Sequence, residues 1–317
     1  MSFVRRSVRL WASCLVPLAL VVTACGSPDG DDKPAKSTTA PPSSAPGSSL
    51  EGKSTLLFGL KKGQPGFSTK KSDVFEGFEA DFAQELASAL GVDSDFRDIP
   101  SLRREEILRD RNADLIIATY SITDARDEQI DFTAPYFKTY QGLLIRDGDT
   151  SIKSLDDVDG KRVCTAYGST SDPKSVRRKE EQKVIKETLG TNVKPGFRKD
   201  YKECVRETQK RNFDAVWTDK ILLKGFEARY EGVHVADDIT IENPQYYGVG
   251  LREGDEKFCK RLNKAVRDFV FSADWRAYFK THFDKVYDDD PSGIATEYRP
   301  DRAEFDDMEK ASCGAND

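Results

Sequence analysis

The sequence predicts an α/β fold, because short apolar runs of strand length alternate with amphipathic helical stretches and small-residue turns separate them. The first run is Thr55–Lys61 (TLLFGLK), closed by a turn at Gly63–Gly66. Phe78, Phe82, Leu86 and Leu90 then recur every fourth residue beside Ala83 and Ala87, which makes one apolar stripe on a helix that Gly91 ends. Glu79, Asp81 and Glu85 read as the solvated face of that helix. Ser101 can cap a second helix carrying Leu102, Ile107 and Leu108. Asp114–Ala118 (DLIIA) is a continuous apolar run, as expected of a strand covered on both faces.

The same order repeats further along. Lys161–Thr165 reads as a strand, Gly168-Ser169-Thr170-Ser171 as a loop entering a helix, and Asp200–Asn212 as another helix. Asp214–Thr218 (DAVWT) is again a buried strand, followed by a helix over Lys220–Tyr230. Glu256–Phe271 is a long amphipathic helix through Phe258, Leu262, Val266 and Phe269, and Trp275, Phe279 and Phe283 extend its apolar face. Residues 287–317 turn polar and read as a tail. With 317 residues, 38% of them hydrophobic, the chain can fill one or two cores.

The N-terminus follows other rules. Arg5, Arg6 and Arg9 precede an apolar run from Leu10 to Ala24, the layout of a secretory signal peptide (residues 1–24). That run is short of the roughly 20 apolar residues a membrane span needs. It ends in Val22-Thr23-Ala24-Cys25, which resembles the lipobox of bacterial lipoproteins. The resemblance implies a lipidated Cys25 and an anchor on the outer face of the cell membrane. Residues 25–50 are Gly-, Ser-, Pro- and Thr-rich and bury too little to order themselves, so they read as a tether. Loss of residues 1–24, with three arginines and no acids, takes the net charge from −6 to −9. Such a chain has no basic stripe for nucleic acid, and any anion site in it must be local. Cys164, Cys204, Cys259 and Cys313 remain, an even number for an oxidising compartment. Their spacing matches no zinc pattern, so disulfides are expected, with three connectivities open.

The segment Ile117-Ala118-Thr119-Tyr120-Ser121-Ile122-Thr123-Asp124-Ala125-Arg126, continuing to Asp131-Phe132-Thr133-Ala134-Pro135-Tyr136, carries the functional information. With Phe75-Glu76-Gly77-Phe78-Glu79-Ala80-Asp81, Gly168-Ser169-Thr170 and Asp214-Ala215-Val216-Trp217-Thr218-Asp219, it resembles the family-3 solute-binding proteins of ABC importers, which bind polar amino acids. The resemblance covers roughly residues 54–286. It implies a type II periplasmic-binding-protein fold, with lobe 1 at 54–138 plus 246–286 and lobe 2 at 139–245. Two extended crossovers, Lys138–Leu144 and Asn243–Val249, would join the lobes. It implies a monomeric receptor with a free L-amino acid and an ABC permease as partners, no cofactor, no metal and no enzymatic step. A sensor module signalling through a membrane partner would carry the same motifs.

The residues suit that chemistry. Arg126 holds the family position of the α-carboxylate clamp, where a planar, permanently charged fork is needed. Thr119 and Ser121 add donors, and Ser169 and Thr170 stand where a helix is expected to begin, which favours an anion. Asp219 matches the partner of the α-ammonium group; it also fits as the N-cap of the following helix. Arg104 lies ten residues before Asp114, a spacing that resembles glutamate and aspartate receptors in which an arginine meets the distal carboxylate. It fits a solvated helix face equally well, since Arg103, Arg109 and Arg111 lie nearby. Lys61 is a second candidate cation, Gln64 and Phe67 fall where the family places a wall over the ligand, and Tyr120 is bulkier than the family pattern and would narrow the pocket. Pairs resembling Cys164–Cys204 occur in glutamate receptors of this family, which leaves Cys259–Cys313 to hold the polar tail.

Overall fold

A computed structural model of the chain describes residues 49–172, 189–190 and 192–314. The signal peptide, Cys25, most of the tether and the helix expected after Ser171 lie outside the described residues.

Two sheets organise the body. The first opens with β1 (Thr55–Leu60), next to the sheet edge, and the strand hairpin β2 (Thr69–Lys71) and β3 (Val74–Glu76) follows it as a separate ribbon. β4 (Asp93–Asp98), β5 (Leu115–Ile116) and β6 (Asp131–Phe132) complete the chain's first pass. β1 pairs in parallel with β4 and β5. The second sheet holds β7 (Phe137–Arg146), β8 (Arg162–Ala166), β9 (Lys194–Arg198), β10 (Ala215–Asp219), β11 (Val233–Val235) and β12 (Ile241–Tyr247). β8 runs parallel to β9 and β10, while β10, β11 and β12 all pair antiparallel with the long β7. The chain then returns to the first sheet as β13 (Gly250–Leu251), between β5 and β6. It therefore crosses between the sheets twice, once entering β7 and once leaving β12. These two strands lie side by side, with Tyr246 opposite Lys138 and Tyr247 opposite Phe137.

The helices form where the periodicity places them. Phe78–Leu90 buries Phe78, Phe82, Ala83, Leu86 and Ala87 and ends at Gly91, whose φ of 71° satisfies the left-handed cap. Tyr201–Gln209 starts from Asp200, whose side chain accepts the backbone N–H of Glu203. Lys220–Glu227 and Glu256–Val270 are likewise amphipathic. The structure joins Cys164 to Cys204, strand to helix within the second sheet's layer, and Cys259 to Cys313.

Three expectations are overturned. Ser101 caps nothing; it opens a short 3-10 turn, and its hydroxyl accepts a hydrogen bond from Lys61. Glu79 is fully buried rather than solvated, because the Thr119 N–H and the Tyr136 hydroxyl both donate to its carboxylate. Asp81 and Glu85 are half-buried, the former 2.6 Å from His282. Finally, residues 287–313 are no loose tail. They fold as helical turns, including Ile294–Glu297 and Arg302–Lys310, that bury Ile294, Tyr298 and Phe305. Asp301 caps the last helix and Glu304 closes the capping box; Glu304 also pairs with Lys138 and accepts from the Tyr246 hydroxyl, so this strap sits on both crossover strands.

Candidate functional site

A narrow cavity of about 10 Å³ lies between the two sheets, with room for roughly one water. Lys61, Ser101, Arg104, Thr119 and Arg126 line it from the first sheet's side. Ser169, Thr170, Tyr201, Thr218 and Asp219 line it from the second. Each stands at or just past a strand end or helix start, where side chains of an open α/β sheet converge.

Three buried cations dominate the first wall. Lys61 follows β1 and donates to Ser101 Oγ at 2.6 Å, with its ammonium 5.2 Å from the Tyr201 ring centre. Arg104 donates to the carbonyls of Ser101 and Ala118 and, at 3.0 Å, of Gly168. Arg126 donates to the Ser121 carbonyl at 2.7 Å and, at 3.1 Å, to the same Gly168 oxygen. Both guanidinium groups lie over the Tyr120 ring, 4.1 and 5.1 Å from its centre. Glu105 stands 3.6 Å from Arg126 Nε. Burial drives the Lys61 ammonium down to about 7, with Arg104 adding repulsion, and drives Arg126 down to about 10.

The second wall is mostly hydroxyl. Ser169 Oγ donates to the Ala166 carbonyl, and Thr170 Oγ1 accepts from Gln141. Asp219 ends β10 and is fully buried, which raises its carboxyl to about 6. Its Oδ2 accepts from the Tyr247 hydroxyl at 2.6 Å, and its Oδ1 is buried with no hydrogen-bond partner among the described residues. Its side chain does not cap the helix that follows. A buried carboxylate oxygen left without a donor is costly unless a ligand donor meets it.

The walls touch at glycine. Gly168 has φ of +74°, and a Cβ there would lie 2.6 Å from Leu102 Cα. Gly225, in Lys220–Glu227, approaches Pro65 in the same way, with its Cβ position 2.3 Å from the Pro65 carbonyl oxygen.

Of the residues singled out from sequence, Lys61, Arg104, Thr119, Arg126, Ser169, Thr170 and Asp219 meet in the cavity. Ser121 does not; it contributes its carbonyl to Arg126. Tyr120 supports the two arginines from behind instead of narrowing the pocket. Gln64 is buried one layer away, donating to Thr119 Oγ1 at 2.8 Å. Phe67 belongs to the aromatic core, packed edge-on against Phe78, Phe137, Tyr247 and Phe283, because its loop is drawn under the Phe78 helix. Sequence reasoning gave Tyr201 and Thr218 no role of their own and read Glu79 as solvated. The last holds Thr119, a β-branched residue at φ +43°, in its unusual backbone conformation. A glutamate sharing a helix face with Phe82 and Leu86 was the available signal.

Known proteins resemble the chain along most of its length. The glutamate-binding protein GluB of Corynebacterium glutamicum is 30% identical over 282 residues, covering 84% of this chain and 85% of its own. The ABC transporter glutamine-binding protein GlnH of Bacillus subtilis is 25% identical, covering 82% and 91%. The solved structure of an ancestral arginine-binding protein bound to arginine superposes with a TM-score of 0.64 at 27% identity, covering 73% of this chain and 99% of that one. Residues 56–285 match the model of a family described as bacterial extracellular solute-binding proteins, family 3.

Proposed function

The chain belongs to family 3 of the bacterial extracellular solute-binding proteins, and from that premise we propose that it closes around a free acidic L-amino acid, glutamate or aspartate, and delivers it to an ABC importer. Its two sheets form the type II periplasmic-binding-protein fold. The lobes of the moving receptor are taken as 54–138 plus 246–286 and 139–245, hinged at 138–144 and 243–249.

The observation that carries the ligand assignment is the charge count of the cavity. Among the residues lining it, three buried basic side chains, Lys61, Arg104 and Arg126, face one carboxylate, Asp219, while Glu105 and the buried Glu79 stand outside the lining, Glu105 3.6 Å from Arg126. A glutamate zwitterion carries two carboxylates and one ammonium group, the complement of that set. Arg126 would clamp the α-carboxylate in a fork, and Asp219 Oδ1 would take the α-ammonium. Arg104 and Lys61 would meet the distal carboxylate. Glutamine would leave one of these cations buried and unpaired, and arginine would add another, each at a cost of several kcal/mol. The likeness to GluB supports the same ligand class. Because the cavity is too small for an amino acid, entry requires the walls to part about the paired crossover strands.

Calorimetry of the mature chain against the twenty amino acids tests the assignment. Glutamate or aspartate should bind, and Arg104→Ala should remove that binding while sparing any weak binding of glutamine. Binding of glutamine or arginine alone would overturn the acidic preference. The proposal extends to the N-terminus, with cleavage after Ala24 and lipid on Cys25; Cys25→Ser should then release the protein from the membrane fraction.

A further inference from the structure

We propose that an exposed basic groove beside the cavity is a capture surface for the anionic amino acid, which it gathers before the lobes close. The inference rests on the acidic-ligand assignment above and adds the route by which such a ligand arrives.

The groove is lined by seven cations from both sheets' layers against two carboxylates, Asp200 and Glu203. Three of the cations are already neutralised, because Lys62 pairs with Asp98, Lys70 with Asp73 and Lys71 with Glu76. Lys199, Lys202, Arg206 and Arg229 are exposed and make no ion pair among the described residues. The groove and the cavity share no lining residue but are lined by chain neighbours. Lys62 is the chain neighbour of Lys61, and Lys202 of Tyr201, and Lys61 and Tyr201 both line the inner wall and touch each other.

The surroundings give these charges their purpose. The whole chain carries −6 and repels a dicarboxylic amino acid at long range. The Debye length is about 8 Å at physiological ionic strength, so the charges nearest the mouth decide the approach. Four unpaired cations against Asp200 and Glu203 leave a local excess of two positive charges on an otherwise acidic body. A patch of this kind raises the association rate of an anion and leaves its dissociation rate unchanged, since the charges do not touch the bound ligand.

Stopped-flow association of L-glutamate with the mature chain tests this, comparing wild type with a Lys199→Gln/Lys202→Gln/Arg206→Gln variant. At low ionic strength the variant's association rate should fall roughly tenfold, the lower end of steering effects. Dissociation should stay within about twofold, and the two proteins should converge near 0.5 M salt, where the Debye length is only about 4 Å. An unchanged association rate with intact glutamate affinity would overturn the capture surface and leave the ligand assignment standing. So would an equal slowing of a neutral amino acid, or a loss carried by dissociation. Absence of acidic amino-acid binding in the wild type would remove both.

Discussion

The two walls of the cavity are built by opposite means. On the first, Lys61, Arg104 and Arg126 are buried together and held by carbonyls, a serine hydroxyl and an aromatic ring, with Glu105 at ion-pair distance from Arg126 and the buried Glu79 behind Lys61 and Arg104. On the second, hydroxyl groups surround a single carboxylate that is half-satisfied by Tyr247. Buried charges cost several kcal/mol each unless paired. The first wall thus holds an electrostatic deficit that an anion relieves, and the second holds a smaller deficit of the other sign. On the proposed binding mode, the comparison teaches that recognition would be the completion of two unfinished networks.

The largest expected effect comes from the first wall. Arg126→Ala should weaken ligand binding by about 2–5 kcal/mol, because it strands a buried ligand carboxylate. Titration calorimetry measures this directly, and wild-type affinity in the variant would break the contrast between the walls. The contact between the walls should matter next. Gly168→Ala combines an unfavourable φ with a Cβ driven against Leu102 Cα, so it should hold the walls apart and cost about tenfold in affinity. Gly232→Ala is the control, since it has the same kind of φ (+76°) with nothing within 4 Å. Equal effects on binding would show that backbone strain alone is at work.

The smallest effect separates the walls by the sign of their proton exchange. Lys61 titrates near 7 in the free protein, and a ligand carboxylate favours its charged form, so binding near pH 8 should take up part of a proton. Asp219 titrates near 6, and a ligand ammonium favours its ionised form, so binding near pH 5.5 should release one. Binding heats compared in buffers of different ionisation enthalpy report both. The stability of the ligand-free protein carries the matching signature. Lys61, lowered on folding, holds fewer protons folded than unfolded between about 7 and 10.5, so its contribution to stability rises with pH across that window. Asp219, raised on folding, holds more protons folded than unfolded between 3.8 and about 6, so its contribution falls as pH rises through it. A Lys61→Met variant that keeps the alkaline rise would remove Lys61 as its source.

Much of this was legible in the sequence because it is local. Strand and helix periodicity placed the main elements, and Arg126, Arg104 and Asp219 sit at element ends that converge on the cavity. The misreadings are tertiary. Glu79 is buried by two donors 40 and 57 residues away, Thr119 and Tyr136, which no helical pattern encodes. Phe67 stands in a loop, yet four other aromatic rings close over it. Residues 287–313 are polar on average, and their burial rests on three anchors, Ile294, Tyr298 and Phe305, that a mean composition dilutes.

One consequence follows from how the folded body is fastened. Ser49 and Leu50 bond to Asp255, at the start of the helix Glu256–Val270, and Glu51 pairs with Arg261 on that helix. Cys313 is bonded to Cys259 of the same helix. The chain therefore enters the body and completes its last fold on one helix, which packs against Phe78–Leu90 beside the first sheet. The C-terminal strap also reaches β7 and β12 through Glu304, which meets Lys138 and Tyr246. In the closure proposed above, the first sheet would then be the post and the second the gate that swings.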